Sequence, residues 1–148
     1  MESMVTVTPA APWPLQTRLE LAAHPTAPGV VRGHVGAVAR EWDLAGLADT
    51  AELLASELAS NAVQASQRLK ARADLAVVPV VRLWLTSDGT SMVIHIWDAS
   101  EDMPARQNAA ADDEGGRGLM LVDALAKDWG TYRKTDGKVV WCLITADP

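Results

Sequence analysis

Three short blocks carry side chains able to do chemistry, and their order along the 148-residue chain matters as much as their content. Glu57-Leu58-Ala59-Ser60-Asn61-Ala62 offers a carboxylate and an amide four residues apart, on one face of any helix that holds them. Asp98 closes the apolar run that begins at Met92 with a second carboxylate. Gly115-Gly116-Arg117-Gly118-Leu119 lets backbone N–H groups approach an anion, and a helix opening there favours negative charge. Each block alone has an ordinary explanation: a solvated helix face, a turn aspartate, a glycine hinge. Together they supply two acids, an amide and a phosphate-sized turn. That set can hold a nucleotide.

The elements that must position these groups follow from periodicity. Leu15 to Leu21 alternates as a half-buried strand. Val30 to Trp42 repeats Val30, Val31, His34, Val35, Val38 and Trp42 at helical spacing, after a turn at His24–Gly29. A longer helix runs from Leu47 to about Arg72, with Asp49 or Thr50 as its expected start. Strands Val80–Thr86 and Met92–Asp98 flank the hairpin signal Ser87-Asp88-Gly89-Thr90. Gly118–Lys127 reads as a helix, and Gly130–Lys134 and Lys138–Thr145 flank a second hairpin signal at Thr135-Asp136-Gly137.

Alternation puts Met92, Ile94, Ile96 and Asp98 on one strand face, the more aliphatic one, which should meet the helices. A carboxylate buried there needs a donor, and the exocyclic amine of adenine is a suitable one. Between Ala99 and Glu114 lies an aperiodic connector of roughly sixteen residues, long enough to suggest a lid with a glycine hinge.

The element order β-α-α-β-β-loop-α-β-β has more hairpins than crossovers. It predicts a two-layer α/β sandwich, with a mixed, mainly antiparallel sheet and helices on one face. A doubly wound dinucleotide fold is disfavoured, because the glycine block follows a long loop and not a first strand. One domain, 15–146, is expected behind a flexible lead-in, 1–14, containing Pro9, Pro12 and Pro14.

Composition narrows the function classes. A 49% hydrophobic, 22% charged chain is that of a water-soluble globular domain, and a net charge of -6 argues against direct binding to nucleic acid. Cys142 is the only cysteine, so no disulfide framework forms and a reduced, cytoplasmic setting is expected. No apolar run reaches the length of a membrane span, and Met1-Glu2-Ser3 does not begin like a secretory signal. The histidines His24, His34 and His95 have no metal-site spacing.

The three blocks resemble the ATP-binding domain shared by gyrase, Hsp90, histidine kinases and MutL, the GHKL or Bergerat fold. The likeness is greatest to its small stand-alone branch, the anti-sigma-factor serine/threonine kinases. Glu57-Leu58-Ala59-Ser60-Asn61-Ala62-Val63-Gln64-Ala65 is similar to the first box, E-L-x-x-N-A-x-x-A. The resemblance implies that Asn61 coordinates Mg²⁺ between the phosphates and that Glu57 is the general base. Asp98 matches the second-box acid that binds adenine N6, and Gly116-Arg117-Gly118-Leu119 matches the third box, whose backbone amides meet phosphate. Ser100 and Met103 complete the implied contact set. The second box departs from the usual D-x-G pattern at Ser100, where a side chain either crowds the base or takes a small loop shift. Trp129-Gly130 and Gly137-Lys138-Val139-Val140-Trp141 look like the branch's closing strands.

What the resemblance implies is an ATP·Mg²⁺-dependent protein kinase. It would phosphorylate an anti-sigma-factor antagonist and sequester a sigma factor. A nucleotide-gated protein-binding module without effective catalysis is the alternative. On the sheet face away from the helices, Arg82, Trp84, His95 and Trp97 share one side. They suggest an exposed patch for a homodimer or partner, or else a face covered by the N-terminal tail and Trp13.

Overall fold

The computed structural model describes residues 13–74, 76–101 and 114–146, with the backbone alone over 114–118. Strand β1 (Leu15–Ala22) leads into helix α1 (Ala27–Glu41), one 3₁₀ turn (Ala45–Leu47) and helix α2 (Ala48–Ala73). Hairpin β2 (Val80–Ser87) and β3 (Ser91–Asp98) precedes helix α3 (Glu114–Leu125), and hairpin β4 (Asp128–Lys134) and β5 (Gly137–Thr145) follows it. The five strands form one sheet in the order β1-β2-β3-β5-β4, every neighbouring pair antiparallel. The two-layer sandwich expected from the element order is the fold observed.

Local chemistry explains the element ends. Pro28 sits in the first turn of α1, where its missing N–H costs nothing, so the helix begins three residues before Val30. Helix α2 grows from the 3₁₀ turn with Leu47 as its N-cap, so neither Asp49 nor Thr50 caps it. At its other end Asp74 adopts a left-handed conformation, φ 52°, and stops the helix. In the β2–β3 turn, Asp88 Oδ1 accepts from the backbone N–H of Thr90 and Ser91, while Gly89 supplies φ 98°.

One hydrophobic core joins the layers. Val31 and Val35 from α1, and Leu54 and Leu58 from α2, lie on Val81, Leu83, Leu85, Met92, Ile94 and Ile96. Each such fully buried side chain contributes about 1.5–3 kcal/mol, so this seam sets how the helices sit on the sheet. Val30, expected in the helix stripe, is instead 48% exposed, one residue round from Val31.

The far sheet face is also closed. Trp84 stacks on His95 at 4.7 Å with planes 7° apart, and the Arg82 guanidinium lies 4.4 Å over Trp97. Trp84 and Trp97 keep only 9% and 6% exposure, and His95 none. Of the two expectations for this face, an exposed patch or a covered one, the burial of Trp84, His95 and Trp97 fits the covered one. Trp13 is buried too, so the last part of the lead-in is packed; residues 1–12 lie outside those described.

Candidate functional site

Helix α2 carries the first two site residues. Glu57 and Asn61 are one turn apart, both half-buried, beside the core stripe of Leu54, Leu58 and Ala62. Asn61 Nδ2 is buried, and among the described residues it has no hydrogen-bond partner. An orphaned amide of this kind costs about 1–3 kcal/mol until an acceptor is supplied. A ligand oxygen can supply it. Glu57 and Asn61 are thus aligned as their spacing predicts.

Asp98 ends β3 facing the core side and is 1% exposed. Its expected donor was a ligand; the structure gives it a donor from its own chain. Lys138, directly opposite on β5, brings Nζ to 3.0 Å from Asp98 Oδ1 and 2.9 Å from Oδ2. The same ammonium donates to Ser100 Oγ at 2.7 Å, and the Ser100 backbone N–H donates to Asp98 Oδ1 at 2.8 Å. Lys138 is 4% exposed and Ser100 is fully buried. The Ser100 side chain is therefore committed to an ion pair. Sequence reasoning missed Lys138, yet a signal was present: Lys138, Val140, Cys142 and Ile144 alternate on the core face of β5.

The β4–β5 turn holds this cluster from below. A Cβ at Gly137 would run into the Asp98 carbonyl and stand 2.9 Å from Ala99 Cα, so only glycine allows the approach. Trp97 Nε1 donates to Asp136 Oδ1 at 3.1 Å, tying the turn to β3. Arg133 Nη1 donates to the Glu101 carbonyl at 3.2 Å, anchoring the first residues of the connector.

Helix α3 begins at Glu114, four residues before the expected start at Gly118. The glycine block is therefore the helix's first turn and not a hinge in front of it. First-turn N–H groups have no intrahelical acceptor, so the backbone of Gly115, Gly116 and Arg117 still offers donors at the positive end of a helix. The Leu119 side chain is 4% exposed and packs in the core with Val122, so its structural part is to seat α3. Met103 and most of the expected lid lie outside the described residues, as does the Arg117 side chain. Helix α2 packs against both β3 and α3, so the element carrying the first block touches the elements carrying the other two.

Among the described residues, the other polar groups form no second centre. Burial lowers the His34 pKa, and among the described residues no group of His, Cys, Asp and Glu has the arrangement to hold a metal. The Cys142 thiol is buried and pushed up to about 12, which keeps it protonated and unreactive. No described helix is long and apolar enough to cross a membrane.

The sequence model of the histidine kinase-like ATPase domain matches residues 21–144, from the end of β1 almost to the end of β5. The chain belongs to that family. No curated protein matches it. Membership implies ATP binding, usually with Mg²⁺, and the residues present fit that group. Among the described residues the Asn61 amide lacks an acceptor, the Asp98 carboxylate is held by the Lys138 ammonium, and α3 opens with glycine N–H groups.

Proposed function

We propose that this histidine kinase-like ATPase domain is a regulatory serine/threonine protein kinase of the anti-sigma-factor type. Its substrate would be an antagonist protein, and the unphosphorylated antagonist would compete with a sigma factor for it. The observation that carries the reading is the Glu57–Asn61 pair, a half-buried acid one turn from an amide that has no hydrogen-bond partner among the described residues. Bound ATP·Mg²⁺ supplies the transferable phosphoryl group. In this reading Asn61 holds the metal, and the first turn of α3 faces the phosphates. Asp98, fixed by Lys138, accepts from the base.

Glu57 accepts the proton of a partner's Ser or Thr hydroxyl as that oxygen bonds to the γ-phosphorus. The bond to the β–γ bridging oxygen breaks, and ADP leaves with that electron pair. Replacing Glu57 with alanine should lower phosphotransfer by about 10²–10⁴-fold, the usual worth of a general base, while ATP affinity stays close to wild type. Unchanged transfer in this variant removes Glu57 as the base.

The second reading is a nucleotide-gated binding module with no useful catalysis. The Ser100 departure from the D-x-G pattern favours it. Nucleotide binding with no transfer to any hydroxyl-bearing partner, in wild type and Glu57→Ala alike, selects this reading.

A further inference from the structure

We propose that the free edge of β1 is a docking site for a second copy of this chain, the two β1 strands pairing antiparallel about a two-fold axis at Leu19. The inference is independent of the nucleotide reading. Among the described residues β1 is the end strand of the sheet, bonded to β2 on one side only. The outward N–H and C=O groups of its eight residues therefore face no neighbouring strand. Its core-side residues Leu15, Thr17, Leu19 and Leu21 are only half-buried, whereas Val81, Leu83 and Leu85 on the next strand are at most 2% exposed. Helix α2 lies over β2, β3 and β5, which leaves β1 at the margin of the helical layer. The edge thus offers unpaired backbone and uncovered apolar surface together, and no proline or glycine interrupts it.

Charge selects both the occupant and the register. Directly opposed residues of paired strands share a sheet face, so an antiparallel self-pairing must centre on a residue and not between two. Centred on Arg18, it sets that residue against its own copy; centred on Glu20, it does the same with the acid. Both juxtapose like charges. Centred on Leu19, it sets Arg18 against Glu20 twice, once on each side of the axis, and Leu19 against Leu19 on the core side. Arg18 and Glu20 are both exposed, and Glu20 Oε2 already accepts from Arg82 Nε at 2.8 Å. That bond holds the carboxylate in the row where the second copy's Arg18 arrives. The opposite edge, β4, carries Gly130 and the adjacent cations Arg133 and Lys134, which discourage strand addition. Pairing at β1 joins the two five-stranded sheets into one, with both helical layers on the same side.

Sedimentation equilibrium on the full chain tests this, together with hydrogen exchange of the β1 amides. A contact one strand wide is small, so the mass should rise from that of one chain toward that of two between about 1 µM and about 0.5 mM. Exchange of the outward β1 amides should slow over the same range. Arg18→Glu should weaken the dimer at least about tenfold, because two attractive pairs become repulsive, and Glu20→Arg should do the same. Both positions are exposed, so each variant should fold as wild type does. An equimolar mixture of the two variants should dimerise again as wild type does, since every opposed pair across the axis is then of opposite sign. A wild-type chain that stays monomeric to about 0.5 mM overturns the proposal. A dimer that neither variant weakens overturns it as well, and places the contact on another surface. Weakening without recovery in the mixture overturns the pairing about Leu19. Amides of β1 protected alike at every concentration in a monomer also overturn it, because the chain then covers its own edge.

Discussion

Lys138 Nζ stands 2.9 Å from Asp98 Oδ2, and the two residues face each other across the β3–β5 ladder with 4% and 1% of their side chains exposed. Attraction between such charges is largely offset by the cost of taking both out of water. Removing one partner is different, because it strands the other. Lys138→Met should lower the unfolding free energy by about 3–5 kcal/mol, a large share of the roughly 5–15 kcal/mol that holds an ordinary domain folded. Asp98→Leu together with Lys138→Met should recover most of it in denaturant melts. A double variant as unstable as the single one would place the loss in packing and not in the stranded charge.

Gly137 makes the site's second requirement, close approach of backbone to backbone. The Asp98 carbonyl and Ala99 Cα occupy the space a methyl group needs, and neither can rotate away. Gly137→Ala should cost about 1–3 kcal/mol, as overpacking does, and weaken ATP binding by displacing Asp98. Gly46→Ala, where nothing lies within 4 Å, is the control and should stay within about 0.5 kcal/mol of wild type. Equal effects at the two positions would contradict the contact.

His95 sets an acid limit on stability. It lies fully buried under Trp84, its Nε2 3.4 Å from Thr86 Oγ1, and burial pushes its pKa down from 6.5 to about 3. The folded pKa is below the unfolded one, so the unfolded chain binds the proton first. Stability from the neutral ring is complete above about pH 6.5 and is lost as pH falls toward 3, by up to about 1.4 kcal/mol per pH unit. Urea midpoints measured from pH 7 to pH 4 should fall steeply in wild type and less in His95→Met. Parallel slopes would show that carboxylates alone set the acid limb.

Much of the fold was legible because its signals are local. Alternation in Leu15–Leu21 and in Met92–Asp98, turn chemistry at Asp88-Gly89, and the long α2 stripe each specify their element without help from the rest. Helix starts were less legible. Pro28 and the Gly115-Gly116 pair look like helix breakers, yet the first turn of a helix tolerates both, since its N–H groups are unpaired anyway. The site was legible as single residues and not as partnerships. Glu57, Asn61 and Asp98 could be named from spacing, whereas the ion pair needs the β3–β5 register, which joins residues 40 positions apart in the chain. The aromatic face stayed open between an exposed patch and a covered one for the same reason. Alternation tells which residues share a side, but only packing tells that Trp84 covers His95 and Arg82 covers Trp97.

The function proposed for this chain depends on a nucleotide seated between α2 and the end of β3. Titration calorimetry with ATP·Mg²⁺ on the full chain measures that directly. Saturable binding of one nucleotide per chain, tighter than about 1 mM and thus worth more than about 4 kcal/mol, is the expected result. Asn61→Ala should weaken it at least about tenfold, or about 1.4 kcal/mol, with folding unchanged. A folded wild-type chain that gives no binding heat and no rise in melting temperature at millimolar ATP·Mg²⁺ would contradict the account.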